Sequence, residues 1–292
     1  MADSDTHRLF RSSALRQRFD SAAETFAQAD FLFRRCMEGL LERLAPMSLK
    51  PEVIVDVGSA TGRGSRELAR RWRRARVLSI DLSHQMLMSG RTGRGWLSRQ
   101  RDVQADAHDL PLKTGCADLL VANLSLPWFD QPERCLQQFG RVLRKEGLLL
   151  FATLGPDTLR EIRDAWQQID TGAHVHPFAD MHDIGDALIR AGLTDPVLDV
   201  ERVSVTYDDP QALFADLRRS GGTNLLPNRL PGLTGKDRFE RFVTALKSQS
   251  QDGRIAVTTE LVFGHAWARG GRQTPQEFHV EASSIGRLAR KT

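Results

Sequence analysis

The stretch from residue 53 to residue 62 combines residue types that could hold a nucleotide-like ligand. It reads Val53-Ile-Val-Asp-Val-Gly-Ser-Ala-Thr-Gly62, an apolar, β-branched run followed by a turn with two glycines. The apolar run predicts a buried parallel strand that carries Asp56 near its end, and glycines such as Gly58 let a backbone turn come close to a ligand through its N–H groups. The turn alone is equally compatible with an ordinary connection between a strand and a helix.

Polar residues also stand at the ends of the next apolar runs. Arg76-Val-Leu-Ser-Ile-Asp81 ends in a carboxylate, at the spacing of about 20 residues that puts an acid on ribose hydroxyls in nucleotide-binding βαβ units. Asp106 and Asn123 follow the third and fourth predicted strands. Open α/β sheets bind ligands at the carboxyl ends of their strands, so these side chains are expected to surround one site. Met86 fits either a bound flat ring or the core.

Alternation of strands and helices sets the expected architecture. Apolar runs alternate with amphipathic segments from residue 51 to residue 154, which predicts a parallel sheet with helices on both faces. Runs ending at Tyr207 and spanning Ile255 to Trp267 predict a sixth and a seventh strand, one of them antiparallel. We therefore expect an α/β domain over residues 51–270, with a seven-stranded, mostly parallel sheet.

Three segments lie outside that alternation. Residues 1–50 predict helices, because Leu15, Phe19, Ala22 and Phe26 share one helical face, and these helices either pack on the core or cover the ligand. Residues 208–253 are too long for a hairpin and predict a helical lid inserted before the last strand. Residues 271–292 predict a polar, peripheral tail.

Composition narrows the class of protein. The 292 residues are 40% hydrophobic and 27% charged, as in soluble globular proteins, and the net charge of +4 mildly favours an acidic partner. The sequence contains neither an apolar run of membrane-spanning length nor a signal-peptide pattern, so we expect no membrane partner. Three cysteines without paired or metal-ligand spacing suggest a reducing, cytoplasmic environment.

Two charged clusters have both an ordinary and a functional interpretation. Five arginines crowd one short segment and form either a solvated helix face or a docking site for an acidic partner: Arg70, Arg71, Arg73, Arg74 and Arg76. Aromatic residues do not alternate with them, so nucleic acid is not expected as a partner. The histidines at 174, 176 and 182 fit no metal-ligand spacing, and we predict no metal site.

At this point the residues support a resemblance to a family. The glycine turn, Asp81, Asp106 and the loop Asn123-Leu-Ser-Leu-Pro-Trp128 resemble the S-adenosylmethionine-dependent class I methyltransferases over about residues 50–155. Further segments resemble the malonyl-acyl-carrier-protein O-methyltransferases of biotin synthesis over nearly the whole chain. They are Arg18-Phe-Asp-Ser-Ala-Ala, Phe151-Ala-Thr-Leu-Gly-Pro-Asp-Thr-Leu-Arg-Glu-Ile, His174-Val-His-Pro-Phe-Ala-Asp-Met-His-Asp-Ile-Gly-Asp-Ala-Leu, Gly232-Leu-Thr-Gly235 and Gly264-His-Ala-Trp267.

The resemblance implies S-adenosylmethionine as the cofactor. It implies glycines around the methionine moiety, Asp81 on the ribose, Asp106 with Ala107 at the adenine, and Asn123 near the sulfonium. The full cofactor-binding set is expected to be Asp56, Gly58, Ser59, Ala60, Gly62, Asp81, Met86, Asp106, Ala107 and Asn123. The family's turn has glycine where this chain has Ala60, and the added β-carbon is expected to narrow the approach of the cofactor while still allowing it to bind.

The implied reaction is transfer of a methyl group to the free carboxylate of malonyl-acyl carrier protein. A carboxylate is already ionised near neutral pH, so alignment and exclusion of water are expected to suffice. Tyr207, Arg229 and Arg160 are candidates for orienting that carboxylate. The acidic carrier with its malonyl-phosphopantetheine arm is the expected partner, and the arginine run is a candidate for docking it.

Two other functions fit part of the sequence. A respiratory-complex assembly factor that acts as an arginine hydroxylase has the same sheet and a similar Asp-Thr-Leu helix start and lid. A non-catalytic scaffold that keeps the cofactor fold, with a turn weakened at Ala60, is the other alternative. Methylation of malonyl carrier protein separates the first function from both.

Overall fold

One seven-stranded sheet organises the chain, with strand order β3-β2-β1-β4-β5-β7-β6. The computed structural model describes residues 12–91, 98–227, 229, 232, 234–250 and 252–269. The strands are β1 Val53–Val57, β2 Arg76–Asp81, β3 Gln100–Gln104, β4 Ala117–Asn123, β5 Leu143–Leu154, β6 Leu193–Tyr207 and β7 Ile255–Ala268. The helices are α1 Ser12–Ala22, α2 Phe31–Arg43, α3 Arg63–Arg71, α4 His84–Ser89, α5 Pro132–Val142, α6 Arg160–Gln167, α7 Met181–Arg190, α8 Pro210–Arg219 and α9 Lys236–Lys247.

The direction of the strands confirms the predicted mostly parallel sheet. Strands β3, β2, β1, β4 and β5 pair in parallel. Only β7, among the described strands, runs against its neighbours β5 and β6. The parallel strands therefore place their carboxyl ends, including Val57, Asp81 and Asn123, along one edge of the sheet.

Helices cover both faces of the sheet, which explains why its central strands are nearly continuous apolar runs. On one face, α5 and α7 pack against the sheet, and Phe139 of α5 and Phe151 of β5 are buried in this layer. On the other, α2 and α3 pack through Leu40 and Leu68 against residues that include Phe263. Side chains in both layers are fully buried, so helices hold the sheet in place from both sides. The strand ends at its edge can therefore position a site rigidly.

The described residues of the N-terminal segment form helices α1 and α2, and Phe26 lies outside the helix that contains Leu15 and Phe19. Helix α1 ends at Ala22, and Phe26 lies in a separate 3-10 turn, Phe26–Gln28. Phe26 nevertheless packs with Ala22 and Ala23 against Met86 of α4, so the predicted apolar surface is formed by two elements rather than one. Residues 1–11 of the predicted N-terminal region lie outside the described residues.

Helices α8 and α9 occupy the segment between β6 and β7. This segment, residues 208–254, is called the insertion below. Its buried Leu213, Phe242 and Leu246 pack against Ile162 and Trp166 of α6 in a cluster separate from the two layers of the sheet. The insertion thus has its own small apolar core. The predicted tail, residues 271–292, lies outside the described residues.

The described part of the chain contains no helix that is long and apolar enough to cross a membrane. Cys36, Cys116 and Cys135 are all free thiols. Burial raises the pKa of Cys36 to about 12, so this thiol stays protonated and behaves as a small apolar side chain.

A glycine in β7 provides a test of the packing between the central strands. A β-carbon at Gly264 would lie 2.2 Å from the ring of Phe151 on the paired strand β5, whereas one at Gly235 would meet nothing within 4 Å. We expect Gly264→Ala to lower the free energy of unfolding by about 1–3 kcal/mol, because Phe151 must leave its position in a fully packed layer. Gly235→Ala should change it by less than about 0.5 kcal/mol. Denaturant unfolding of both variants measures this, and equal stabilities would contradict it.

Candidate functional site

A cavity of about 80 Å³ opens at the carboxyl ends of β1, β2 and β4. It is called the first cavity below. Most of the predicted cofactor residues line it, namely Gly58, Ala60, Asp81, Met86, Asp106, Ala107 and Asn123. A smaller adjoining pocket is lined by Asp56 and Ser59 as well. Gly62 lines neither; it precedes α3 in a left-handed conformation with φ of 67° and lets the turn enter the helix.

The glycine turn works by close approach rather than by offering N–H groups. Gly58 has φ of 71°, and a β-carbon there would lie 2.4 Å from Cβ of Ser125. Its N–H and that of Ser59 both donate to the carbonyl of Ile80, at 2.8 and 3.0 Å. The expectation that these N–H groups face the ligand is therefore not met. They bind β2, and the absence of a side chain at Gly58 allows the turn to pack directly against Ser125.

Asp81 fixes the geometry of that turn. Its two carboxylate oxygens accept hydrogen bonds from the backbone N–H groups of Ala60 and Ser83, both at 2.8 Å. Burial raises its pKa to about 6 in spite of these bonds. Each oxygen keeps a further lone pair, so the carboxylate can still accept hydroxyl groups of a ribose.

Asp56 lies beneath the turn at the end of a buried polar chain. The hydroxyl of Ser65 donates to its carboxylate at 2.5 Å, and Ser79 and Gln100 continue the chain with bonds of 2.8 Å each. Burial raises the pKa of Asp56 to about 6. This chain ties α3 to β1, β2 and β3, so Asp56 supports the site from below.

Asp106 and a second acid contact the same histidine at the other end of the first cavity. The ring of His108 bridges Asp106 and Asp130, with N···O distances of 2.6 Å on both sides. Hydrogen bonding to His108 lowers the pKa of Asp106 to about 2. All three residues line the cavity, so an anionic acceptor is held where the sequence predicts the adenine.

Several buried polar atoms beside the turn have no hydrogen-bond partner among the described residues. They are Oγ of Ser59, Oδ1 of Asn123 and Oγ of Ser125. Nδ2 of Asn123 donates to the carbonyl of Phe33 at 2.9 Å, which aims its oxygen away from α2. Buried polar atoms are ordinarily satisfied, so these three indicate a polar ligand that supplies their partners.

The smaller pocket also contains an ion pair that the sequence did not predict. The carboxylate of Asp30, a residue only 2% exposed, accepts a hydrogen bond from Nε of Arg63 at 2.8 Å. Both residues line the pocket with Ser59. They can bind the ammonium and carboxylate of an amino-acid group, which carries both charges. The sequence gives no local signal for the pair, because 33 positions separate its members.

A second, larger cavity of about 370 Å³ adjoins the first. Phe33, Leu124 and Trp128 line both. The ring of Trp128 packs edge-on against Phe19 of α1, with centroids 5.2 Å apart, and against His176, with centroids 5.3 Å apart. Trp128 therefore stands where the N-terminal helix, the loop after β4 and the loop before α7 meet, between the two cavities.

The second cavity is mainly apolar, with a few polar groups from the insertion. Tyr207 lines it, but its hydroxyl is hydrogen-bonded to Asp216, and burial raises its pKa to about 12. The hydroxyl oxygen of Thr223 is buried without a partner among the described residues. Arg218 contributes a guanidinium at the exposed edge of the lining. Thr223 and Arg218 were not predicted. Thr223 lies in an irregular segment without a periodic signal, and Arg218 is a polar residue on a helix whose orientation towards the cavity depends on tertiary packing.

The positions of Arg160 and Arg229 do not fit the predicted role of orienting a substrate inside the cavity. Arg160 is exposed, and its Nε lies 3.2 Å from the carboxylate of the adjacent Glu161. Arg229 is also exposed, and neither arginine lines the second cavity. A cation close in sequence to a candidate segment need not face its interior, because a turn or the start of a helix directs it outward.

The arginine run lies far from both cavities. Arg70 and Arg71 end α3, and Arg76 begins β2, whereas Asp81 at the other end of that strand lines the first cavity. Six residues of strand correspond to roughly 17 Å. All five arginines are exposed. In the part of the chain that the structure describes, no three His, Cys, Asp or Glu side chains converge as a metal site.

Ala60 provides a test of the strain in the turn. It adopts a left-handed backbone with φ of 46°, which costs a residue with a β-carbon about 1 kcal/mol. Ala60→Gly should leave the free energy of unfolding unchanged or raise it by up to about 1 kcal/mol, because relief of strain exceeds the added freedom of the unfolded chain. The matched change Ala69→Gly, inside α3, should lower it by about 1 kcal/mol. Chemical denaturation measures both, and equal losses would contradict a strained Ala60.

His176 gives a pH dependence with a defined sign. Burial lowers its pKa from 6.5 to about 4, and its Nε2 accepts the N–H of Leu225 at 3.2 Å. The unfolded chain therefore takes up a proton before the folded one, and the stability conferred by neutral His176 is present above pH 6.5 and lost as the pH falls towards 4. Relative to His176→Gln, the wild type should lose roughly 1–2 kcal/mol from pH 6.5 to pH 4.5. A pH-independent difference in unfolding free energy would refute this.

Comparisons with known proteins agree with the geometry. A family model described as a methyltransferase domain matches residues 55–151. A malonyl-[acyl-carrier protein] O-methyltransferase from Halorhodospira halophila is 41% identical over 264 residues, which cover 90% of this chain and 89% of the relative. One from Laribacter hongkongensis is 41% identical over 268 residues, 89% of this chain and 90% of the relative.

A solved structure shows the same fold at low identity. The phosphoethanolamine N-methyltransferase 2 of Haemonchus contortus, in complex with S-adenosyl-L-methionine, aligns with a TM-score of 0.52 and 16% identity over 85% of this chain and 57% of that one. The sheet order, the first cavity and the long, closely similar relatives lead to one conclusion. This chain belongs to the malonyl-[acyl-carrier protein] O-methyltransferase family, within the class I methyltransferase superfamily.

Proposed function

We propose that this protein transfers a methyl group from S-adenosylmethionine to the free carboxylate of malonyl-acyl carrier protein. The product is the malonyl methyl ester that starts pimeloyl synthesis for biotin. The observation that carries the proposal is the junction of two cavities at Phe33, Leu124 and Trp128. One cavity has unpartnered polar atoms suited to a polar cofactor, and the other is apolar with a buried hydroxyl. Relatives that align with about 90% of the chain carry this activity in their names.

The described residues fit S-adenosylmethionine along its length. Asp30 and Arg63 suit its amino-acid group, Asp81 its ribose, and Asp106 its adenine. Asn123 and Ser125 lie between these ends with unpartnered oxygens. When bound, the cofactor supplies an electrophilic methyl group on a sulfonium. The chain itself has to hold that group at the boundary of the two cavities.

The second cavity can then act on the nucleophile by positioning and by excluding water. A malonyl carboxylate is ionised near neutral pH, so no side chain needs to remove a proton from it. The mainly apolar lining removes water from its oxygens, and alignment with the methyl carbon supplies much of the rate enhancement. Trp128, held between Phe19 and His176, is placed to keep this boundary dry.

We further propose that Thr223 holds the carboxylate at the cofactor end of the second cavity. Two residues away, a β-carbon on Gly221 would lie 2.8 Å from the ring of Phe19, and Leu225 on the other side is bonded to His176. Because Phe19 and His176 flank Trp128, Thr223 lies near the boundary between the cavities. Its hydroxyl lacks a partner among the described residues, so it can donate to an incoming anion.

The insertion is proposed to serve as the substrate lid, supported by its contribution of Leu213, Phe214 and Thr223 to the second cavity. Tyr207 keeps a proposed role in shaping the cavity through its bond to Asp216 rather than by binding the carboxylate. The acyl carrier protein is the proposed partner, and the free thiols support a cytoplasmic location.

The deciding experiment is incubation of the purified protein with malonyl-acyl carrier protein and S-adenosylmethionine, followed by mass spectrometry. We expect the carrier to gain one methyl group that alkaline hydrolysis removes, because the product is an ester. Carrier with an acetyl group, which lacks the free carboxylate, is the control and should gain nothing. Cofactor binding without methylation would support the scaffold or the arginine hydroxylase instead and would exclude the proposed function.

Thr223 can be tested by separating stability from activity. Thr223→Val removes the hydroxyl but keeps the shape, so it should leave the unfolding free energy unchanged or raise it, because a buried unpartnered oxygen is lost. It should lower kcat/KM for the malonyl substrate about tenfold or more, without changing cofactor affinity. Thr223→Ser keeps the hydroxyl and should retain most of the activity. Equal activity of the valine and serine variants would remove Thr223 from the site.

A further inference from the structure

Three arginines belong to two segments, α1 and the insertion, that meet beside the second cavity. Arg18 belongs to α1. Arg218 belongs to α8 and lines the second cavity, and the backbone N–H of Arg229 donates to the carbonyl of Leu226. They are called the rim arginines below. Since they come from positions that are distant in sequence, only the folded chain brings them together.

Contacts between α1 and the insertion fix their relative position. A β-carbon on Gly221 would meet the ring of Phe19, the residue next to Arg18, at 2.8 Å. The hydroxyl of Thr25 donates to the carbonyl of Arg219 at 3.4 Å, which joins the segment after α1 to the end of α8. The rim arginines therefore lie along the seam between the N-terminal helices and the insertion.

The charge of the rim arginines is not paired within the described part of the chain. None of them forms an ion pair with a carboxylate among the residues that the structure describes, whereas neighbouring Arg219 approaches Asp216 at 3.5 Å. Burial, together with the positive charge of Arg229, lowers the pKa of Arg18 from its ordinary value. Two cations held near each other repel, and an anionic partner would relieve that repulsion.

We propose that the rim arginines form the docking surface for the acidic face of the acyl carrier protein, above the entrance of the second cavity. This inference rests on the proposed function. A carrier bound there can pass its thioester arm into the cavity past Arg218, which contributes to both the rim and the lining. Rim charges of this kind guide encounter and set orientation, so their effect falls as salt rises.

The arginine run at the opposite edge of the sheet is the natural comparison. It offers more positive charge than the rim. However, the run leads into the first residue of β2, whereas the first cavity lies at the last residue of that strand. A carrier docked there would have to send its arm along the sheet before reaching the site. Position relative to the cavity, rather than the amount of charge, therefore favours the rim.

The test compares two double variants that remove the same charge. Arg18→Gln/Arg229→Gln alters the rim, and Arg73→Gln/Arg74→Gln alters the run, while Arg218 stays because it lines the cavity. Initial rates are measured with malonyl-acyl carrier protein at about 50 mM and about 500 mM salt. A malonyl thioester of a short neutral thiol reports on the site without a carrier, and titration of S-adenosylmethionine confirms that each variant is folded.

For the rim variant we expect KM for the carrier to rise about tenfold at low salt and to approach that of the wild type at high salt. Activity on the short thioester should stay within about twofold, and the run variant should match the wild type with both substrates. Arg18→Lys/Arg229→Lys keeps the charges and should restore most of the carrier affinity.

Other outcomes overturn the inference. An unchanged KM in the rim variant, or an equal rise in the run variant, excludes the rim as the docking surface. An equal loss with the short thioester would assign the rim to the site itself. If Arg18→Gln impairs folding, the exposed Arg229→Glu alone carries the same comparison against Arg73→Glu. Failure of the wild type to methylate the carrier would instead refute the proposed function.

Discussion

The carboxylate of Asp81 holds together the part of the molecule on which the site depends. By accepting the N–H groups of Ala60 and Ser83, it joins the turn after β1 to the start of α4. The same turn is anchored a second time through the carbonyl of Ile80. Because the turn is fixed by β2 rather than by a ligand, the first cavity exists before anything binds. That preorganisation lowers the cost of binding and permits the strained backbone at Ala60.

The two cavities differ in chemistry because different parts of the chain build them. Strand ends of the rigid sheet supply the polar lining of the first cavity, where Asp81, Asp106 and Asn123 stand in line. The second cavity is completed by α6 and the insertion, whose apolar residues also form their own cluster. Trp128 belongs to both and contacts the N-terminal helix on one side and the loop before α7 on the other. A movement of either segment would therefore shift Trp128, at the boundary of the two cavities where methyl transfer is proposed.

Charge is distributed with a similar division of roles. The acids around the cofactor site accept hydrogen bonds from backbone N–H groups, from Ser65 or from His108, and their pKa values depend on whether burial or hydrogen bonding dominates. Asp106, bonded to a histidine, has a lowered pKa, and Asp81, desolvated, has a raised one. The rim arginines, which form no ion pair among the described residues, lie outside, along the seam between α1 and the insertion. An anionic substrate would thus meet positive charge first and an apolar cavity second.

The sequence alone determined the sheet, its mixed direction and the polar residues that the strand ends contribute to the first cavity, because these follow from local periodicity and from the rule that ligands bind at strand ends. It could not decide the contacts of the insertion. Arg160, Arg229 and Tyr207 were plausible by residue type, yet a helix start turns the first outward, an exposed turn holds the second and Asp216 engages the third. Thr223 and the ion pair of Asp30 with Arg63 became visible only in the tertiary structure. The physical reason is that irregular segments and long-range ion pairs have no period: their side chains acquire neighbours only when distant parts of the chain pack together.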